Sequence, residues 1–285
     1  MSFFKWFNNY KLWIIIINQY KIKKLLVFMF LFVSISINAQ YQVWTFVKAV
    51  PGENFDKLLK EEISTHQKNR LDSGVIKLFH VWKAYWGMDE NQTFSHILIQ
   101  GYGKEIGNWA KKPQMKDTFE NLSKNDFSSL QKKIGKSRKI IGRMITKNVS
   151  FYNNLDSLPK SAVINFYNVN SGMMDDYKKL HKGITKETFK NANNSKVAWM
   201  AREVINPRGK GVLEDINYLT VDFEPHWTER YNPTKIPSET QKIMNQENRE
   251  KLMAAYNEIS PDGPSKIRKQ VDKFWGRYTV KIDNN

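Results

Sequence analysis

The sequence predicts an α+β protein that contains the same β-α-β-β-α-β module twice. Residues 43–52 match residues 163–172 at an offset of 120 positions, and residues 141–143 match residues 275–277 near the ends of the two copies. The matched segments follow one another in the same order in both copies, which is the pattern that a duplicated unit produces. Each copy also shows the same succession of strand-like and helix-like segments.

The first strand and the first helix of each copy follow from residue type and spacing. Residues 44–50 and 163–169 are runs of aromatic and β-branched residues that end at a turn with glycine, which predicts a strand. Apolar residues then recur at helical spacing within residues 55–63 and 177–184, which predicts a helix that packs on the sheet.

A hairpin, a helical region and a final strand complete each copy. The hairpin strands are residues 75–85 and 94–101 in the first copy, and residues 197–205 and 216–223 in the second. The final strands are residues 140–147 and 274–282. The second copy has an additional helix, predicted to begin near Pro237 with a capping-box pattern and to end at about Ile259.

This element order is the ferredoxin-like arrangement, in which helices cover one face of a four-stranded antiparallel sheet. Strands with apolar residues on both faces need a cover on the other face as well. Two such modules in tandem resemble the dimeric α/β-barrel superfamily, in which two ferredoxin-like sheets pack face to face. The resemblance implies a barrel with a pocket between sheet and helices, and members include haem-binding proteins, monooxygenases and isomerases. The sheets would pair as an intramolecular pseudo-dimer or in a homodimer.

The N-terminus has the pattern of a secretory signal peptide. Residues 1–39 contain five lysines, no acidic residue and an apolar run that ends in a small residue before Gln40. The run is shorter than the roughly 20 residues of a spanning helix, although a retained anchor is the alternative. We therefore expect export to the periplasm or the outside. The predicted domains are a signal peptide (1–39), module 1 (41–147), a linker (148–161) and module 2 (162–282).

The mature chain is strongly basic. Removing the five lysines of residues 1–39 from the net charge of +17 leaves +12. This charge favours anionic partners such as phospholipid headgroups, anionic glycans or acidic small molecules, whereas export argues against nucleic acid. The only dense basic run is residues 132–143. The chain has no cysteine, which excludes disulfides and thiolate metal ligands.

Polar side chains on the predicted strands are the candidates for ligand binding. They are Thr45, His80, His96, Arg143, Asn165, Tyr167, Arg202, Asn217 and Arg277. The self-alignment matches His80 with Arg202, His96 with Asn217, and Arg143 with Arg277. A neutral imidazole can bind haem iron or act as a base, and an arginine can pair with a carboxylate. The alternative is that the histidines are satisfied polar residues and the arginines form structural ion pairs.

The sequence narrows the function to two hypotheses. The histidines differ between the copies, so we expect no metal site, and neither a phosphate-binding loop nor a Gly-x-Ser-x-Gly motif is present. The first hypothesis is an exported small-molecule-binding protein, either a monooxygenase-like or haem-related enzyme or a binder without catalysis, with haem as the candidate cofactor. The alternative is a non-enzymatic basic envelope protein that binds anionic glycans or lipid headgroups.

Overall fold

In a computed structural model of the chain, eight antiparallel strands form a closed barrel in the order β1-β3-β2-β8-β5-β7-β6-β4. The strands are β1 (Tyr41–Ala49), β2 (Leu78–Gly87), β3 (His96–Tyr102), β4 (Arg138–Asn153), β5 (Ser161–Val169), β6 (Ala198–Ile205), β7 (Tyr218–Glu224) and β8 (Arg268–Asp283). The structure describes residues 40–87, 94–103, 122–153, 160–190, 198–205, 215–224 and 246–283. These residues belong to one structural unit, Ala39–Asp283. The predicted signal peptide and the helix start near Pro237 lie outside the described residues.

Strands β1–β4 and β5–β8 form two halves with the same strand order. This order is β4-β1-β3-β2 in the first half and β8-β5-β7-β6 in the second. The barrel closes because β2 pairs with β8 and β6 pairs with β4. The α+β class and the ferredoxin-like strand order are as predicted, and the two sheets form the barrel within one chain.

Helices pack on the outer face of both sheets. In the first half they are α1 (Phe55–Leu58), a π-helical turn (Leu59–Ile63), α2 (Ser64–Asp72) and α3 (Lys124–Ser137). In the second half they are a 3-10 turn (Ser171–Met173), α4 (Met174–Lys182), α5 (Ile184–Lys190), α6 (Gln246–Ile259) and α7 (Pro264–Ile267). The end of α6 at Ile259 agrees with the prediction. No helix in the described part of the chain is long and apolar enough to cross a membrane.

Large apolar side chains fill the barrel interior. Because side chains alternate along a strand, every second residue points inward, and in β1 these include Trp44 and Phe46, both fully buried. The Phe46 ring centroid lies 5.0 Å from that of Phe94 and 6.0 Å from that of Phe166 in the other half. The interior is thus a packed core.

Two predicted boundaries differ from the structure. β4 extends to Asn153, so the first part of the predicted linker, residues 148–153, is strand. β8 begins at Arg268 rather than near residue 274. Both strands are long because each pairs with its own sheet over its first part and with the other sheet over its last part. Residues 154–159 of the predicted linker lie outside the described residues.

The strand register shows which residues of the two halves correspond. Each sheet has a bulge at the same place, after Phe46 in β1 and after Phe166 in β5. With these two residues equivalent, the pairings match Trp82 with Arg202, His80 with Met200, His96 with Tyr218, and Arg143 with Lys273.

The three predicted matches between site residues are therefore wrong. His80 does not correspond to Arg202, His96 does not correspond to Asn217, and Arg143 does not correspond to Arg277. The physical reason is that the connections before β3 and β4 differ in length between the halves, whereas the connection before β2 does not. The offset is 120 residues in β1 and β2, 122 in β3 and 130 in β4, whereas the self-alignment assumed other values for β2, β3 and β4.

Candidate functional site

The structure distributes the sequence-predicted site residues over three regions. His80 and Arg202 lie on the inward-facing side of the strands. The helix–sheet layers contain Thr45 and His96 in the first half, and Asn165, Tyr167 and Asn217 in the second. Arg143 and Arg277 are exposed. These residues thus do not form one site.

The two predicted site residues inside the barrel, His80 and Arg202, form hydrogen bonds with their neighbours. His80 Nε2 lies 3.1 Å from Asp283 Oδ2, and burial lowers the pKa of His80 although Asp283 opposes this effect. The Arg202 Nε donates to Thr146 Oγ1 at 2.7 Å, and another guanidinium nitrogen donates to the carbonyl oxygens of Gln40 and Thr146 at 3.3 Å each. Burial lowers the pKa of Arg202 to about 9. These contacts favour the structural interpretation for both residues.

The layer of the first half contains two groups of polar side chains. One is a network around Gln67, which accepts from Arg70 at 3.2 Å and from Gln100 at 3.0 Å, and the other is a hydrogen-bonded chain around His96. His96 is buried, its Nε2 lies 2.8 Å from Asp56 Oδ1, and its Nδ1 lies 2.9 Å from the Ser95 hydroxyl. Asp56 also accepts from Lys83 Nζ at 2.5 Å. Burial lowers the pKa of His96, and Asp56 counteracts it. A serine, a histidine and an aspartate in contact are the residue types of a hydrolase triad.

A comparison with the second half assigns Ser95 a structural role instead. The Ser95 hydroxyl accepts from the Ala49 N–H at 2.7 Å. At the corresponding place Asn217 accepts from the Val169 N–H, also at 2.7 Å, through its side-chain oxygen. Because an asparagine makes the same bond, the position serves to fix the end of the first strand of each half. Asn217 thus makes an anchoring contact with the end of β5.

The layer of the second half contains a buried cluster of aromatic and ionisable side chains. We call it the tyrosine cluster, and its members are Tyr167, Tyr177, His181, Trp199, Tyr218, Tyr256 and Arg268. Its first six members are each less than one-tenth exposed. Ring centroids of Tyr177 and Tyr218 lie 4.9 Å apart, and that of His181 lies 4.3 Å from Tyr177 and 5.3 Å from Trp199.

A histidine–tyrosine pair lies at the centre of the tyrosine cluster. His181 Nδ1 and the Tyr218 hydroxyl are joined by a hydrogen bond of 2.7 Å. Burial, with the charge of Arg268, lowers the pKa of His181 well below its usual value, and burial raises the pKa of Tyr218 well above its own. Both groups are therefore neutral at neutral pH. A neutral imidazole bonded to a phenol is able to hold or pass on a proton.

Arg268 is the cation at the edge of the tyrosine cluster. Its guanidinium carbon lies 4.1 Å from the Tyr167 ring centroid and 5.5 Å from that of Tyr177, and its NH1 donates to the Tyr177 hydroxyl. The side chain is half-buried. Within the described ranges no carboxylate forms an ion pair with it, so π faces and a hydroxyl are the neighbours that surround the charge.

Asn165 lies beside this cluster on the same outer face of the second sheet. Its amide donates to Asp222 Oδ2 at 2.9 Å and to Thr220 Oγ1 at 3.3 Å. The corresponding residues of the first half are Thr45, Gln100 and Leu98. Of the predicted residues, the structure thus brings Asn165 and Tyr167 onto one polar surface.

Sequence reasoning missed most of the tyrosine cluster. Tyr177 and His181 lie four positions apart on α4, and this spacing places them on one helix face. A tyrosine and a histidine on the buried side of a helix were the available signal. Arg268 gave no signal, because it precedes the segment that the sequence predicts as the last strand.

The described histidines do not fit a haem-binding role. An axial imidazole needs a ring nitrogen that faces an open pocket. His80 and His96 contact carboxylates through Nε2, aromatic rings enclose His181, and His66 is buried on α2. Among the described residues there is also no group of three or more histidine and acidic side chains that could hold a metal ion.

Comparisons with known proteins give only distant similarities. No family model matches the chain, and no curated protein is similar in sequence. A proposed monooxygenase of Lactobacillus acidophilus NCFM is 10% identical, with a TM-score of 0.48 over 86% of this chain and 96% of its own.

Two further solved structures are enzymes by name. A mutant chlorite dismutase of Candidatus Nitrospira defluvii is 8% identical, with a TM-score of 0.42 over 84% of this chain and 90% of its own. A dye-decolorizing peroxidase of Bacteroides thetaiotaomicron VPI-5482 is 7% identical, with a TM-score of 0.43 over 84% and 93%. At these identities and TM-scores the similarities do not identify a ligand or a reaction.

Proposed function

We propose that the protein is an exported small-molecule-binding protein whose ligand carries an anionic group and an aromatic ring. Arg268 carries this proposal, because it is a half-buried cation set among tyrosine rings with no carboxylate partner within the described residues. Burying a cation without a counter-ion is costly, and an anionic ligand removes that cost. Tyr167 and Tyr256, which adjoin the guanidinium, provide faces for ring stacking.

The same site contains a group suited to proton transfer. His181 and Tyr218 are neutral and hydrogen-bonded, so the pair could relay a proton within the tyrosine cluster. This supports a monooxygenase-like enzyme more than a haem-related one, since the described histidines lack a free ring nitrogen that faces a pocket. The proposal thus has two parts: ligand binding at Arg268, and catalysis of a reaction of the bound ligand.

Export and duplication belong to the same proposal. The basic and apolar pattern of residues 1–39 supports a signal peptide. Two features support two diverged copies of one module: the same strand order in both halves, and equivalent backbone bonds. The Val50 N–H donates to the Ser137 carbonyl at 2.9 Å, and the Asn170 N–H donates to the Ile267 carbonyl at 2.9 Å.

The test of the proposed function is a binding experiment with matched ligands. The whole chain is expressed with export, and the purified protein is titrated with aromatic carboxylates and with the corresponding uncharged amides, followed by calorimetry and native mass spectrometry. We expect saturable binding of carboxylates. Arg268→Gln should weaken it about tenfold or more, since a hydrogen bond to a charged group contributes about 1.5–3 kcal/mol.

Arg138 provides the matched control. It begins β4 as Arg268 begins β8, and its guanidinium carbon lies 5.9 Å from the Phe55 ring centroid. Arg138→Gln therefore removes the same charge from the corresponding place but leaves the tyrosine cluster intact. Equal loss of affinity in both variants, or no loss in Arg268→Gln, would contradict the proposal. A titration with haem, followed by its absorption spectrum, tests the haem hypothesis separately.

A further inference from the structure

One segment of the first half is free of acidic residues. Residues 127–155 contain cations and no aspartate or glutamate, and these cations are Lys132, Lys133, Lys136, Arg138, Lys139, Arg143 and Lys147. The segment forms most of α3 and all of β4. Lys133 pairs with Glu62, and Lys147 lies over the Tyr41 ring. The other five have no ion pair with any described residue, and we call these five the basic patch.

The charges of the basic patch repel one another and their neighbours. Lys139 lies directly opposite Lys48 in the pairing of β4 with β1, and like charges at opposite positions are destabilising. Burial lowers the pKa of Arg138, and the charge of Arg143 lowers it further. A surface that concentrates one sign of charge attracts anions, and such a partner would relieve the repulsion.

The second half lacks such a patch at the corresponding place. Residues 257–283 contain a comparable number of lysines and arginines, but Glu258, Asp262, Asp272 and Asp283 are interspersed with them. The basic character of α3 and β4 is therefore not required by the barrel, because the equivalent segment forms the equivalent strand with mixed charges.

Exposed apolar side chains accompany the basic patch. Ile140 is 44% exposed and lies two residues after Arg138, on the same face of β4, and Val50 is 37% exposed. The Val50 N–H donates to the Ser137 carbonyl, next to Arg138. Only three large hydrophobic side chains are exposed among the described residues, so two of them lie beside these cations. A glycan presents little apolar material to such side chains, whereas a lipid surface accepts both features.

We propose that the basic patch docks the protein on a membrane surface that contains anionic phospholipids. The cations contact phosphate headgroups, and Ile140 and Val50 enter the interface between headgroups and acyl chains. The docking surface is remote in sequence from Arg268 and does not depend on the small-molecule site.

The test is a vesicle cosedimentation experiment with the purified whole-chain product. Vesicles of phosphatidylcholine are compared with vesicles that also contain phosphatidylglycerol, at salt concentrations from about 0.05 to 0.5 M. We expect binding to the anionic vesicles that falls as salt rises. Lys136→Glu/Lys139→Glu should lower the vesicle-bound fraction about tenfold or more, because each cation near an anionic surface contributes separately.

Lys266→Glu/Lys269→Glu is the matched control, since these exposed lysines occupy the equivalent places before and in β8 and the change in net charge is the same. We expect it to lower binding by less than about twofold. Ile140→Ser should weaken the binding that remains at high salt. Three outcomes would each overturn the proposal. The two charge-reversal variants could lose vesicle binding equally, or the protein could bind neutral and anionic vesicles equally. It could also bind a soluble anionic polysaccharide but not vesicles. Calorimetry with an aromatic carboxylate, run on the same variants, measures ligand binding at Arg268 independently. A failure of the membrane proposal can thus be distinguished from a failure of the proposed ligand site.

Discussion

The two halves of the barrel enclose different chemistry between sheet and helices. In the first half the layer is built mainly from leucine, isoleucine, valine and phenylalanine. In the second half the same layer contains the tyrosine cluster. The corresponding positions make the contrast specific: Leu98 corresponds to Thr220, and Val47 corresponds to Tyr167. Strand pairing and the bulges determine the backbone structure of both halves, so the side chains of each layer can differ.

This difference concerns the polar groups that each layer buries. Buried hydroxyl, imidazole and guanidinium groups cost free energy unless they are hydrogen-bonded, and apolar side chains fill the same space without that cost. The first half buries polar groups as well, among them His66, Arg70 and His96. What distinguishes the second half is that its polar groups are packed together with four tyrosines.

The largest effect on stability is expected in the barrel interior, where the two halves share the same backbone structure. Phe46 and Phe166 occupy equivalent places, both are fully buried, and their rings are in contact. We expect Phe46→Ala and Phe166→Ala each to lower the free energy of unfolding by about 3–5 kcal/mol, measured by urea denaturation. The double variant should lose less than the sum, because the residues share one contact. If one variant loses only a small fraction of what the other loses, the two halves do not contribute equally to the core.

The fold could be predicted from the sequence more completely than its register. Runs of aromatic and β-branched residues such as 163–169 predict strands. The order of the predicted strands and helices then limits the number of folds that the chain can adopt. The register depends on single residues, because a bulge or one inserted loop residue changes which side chain faces the core. The predicted match of His80 with Arg202 assumed an offset of 122 residues, whereas the register gives 120 for this strand. A difference of two residues keeps the same face of the strand, so the residue pattern alone did not reveal the error.

The site could be predicted only in part. Asn165 and Tyr167 were identified because they are polar residues at internal strand positions, and both lie at the second layer. Arg268 was out of reach, because its importance arises from tertiary contacts with Tyr167, Tyr177 and Tyr256. Sequence spacing contains no information about a cation that stacks on rings from three different elements.

The pH dependence of stability should report on a buried histidine of each layer. An unfolded histidine gains a proton near its ordinary pKa of about 6.5, whereas folded His181 stays neutral because burial, with the charge of Arg268, lowers its pKa well below that value. The unfolded state thus binds more protons, so stability is retained above about pH 6.5 and falls as the pH decreases towards the folded pKa. His181→Gln should flatten this fall between about pH 7 and pH 5, measured by denaturant titrations at each pH.

His66 provides the comparison in the first half. Burial and the charge of Arg70 lower its pKa to about 4, so His66→Gln should flatten the curve between about pH 7 and pH 5 as well. An unchanged slope in His181→Gln would mean that His181 accepts a proton in the folded protein, and the neutral pair with Tyr218 would then be wrong.

The smallest expected effect concerns two ion pairs at corresponding places in the two halves. The acidic residue is on the helix in the first half and on the strand in the second. Asp56 on α1 pairs with Lys83 on β2 at 2.5 Å, and Lys178 on α4 pairs with Glu203 on β6 at 3.2 Å. Both pairs are partly exposed, so double-mutant cycles with alanine should give a coupling of about 0.2–1 kcal/mol for each.

The single variants of these pairs should nevertheless differ between the halves. Asp56→Ala also removes the acceptor of buried His96, so it should cost about 1–3 kcal/mol, more than Lys83→Ala, which breaks the same ion pair and leaves His96 bonded. In the second half, Lys178→Ala and Glu203→Ala should cost similar amounts, because the bonds found for both side chains lie at the partly exposed edge of the layer. Equal costs for Asp56→Ala and Lys83→Ala would mean that the bond to His96 contributes nothing. The polar chain of the first half would then be a surface ion pair, and the tyrosine cluster would be the stronger of the two candidate sites.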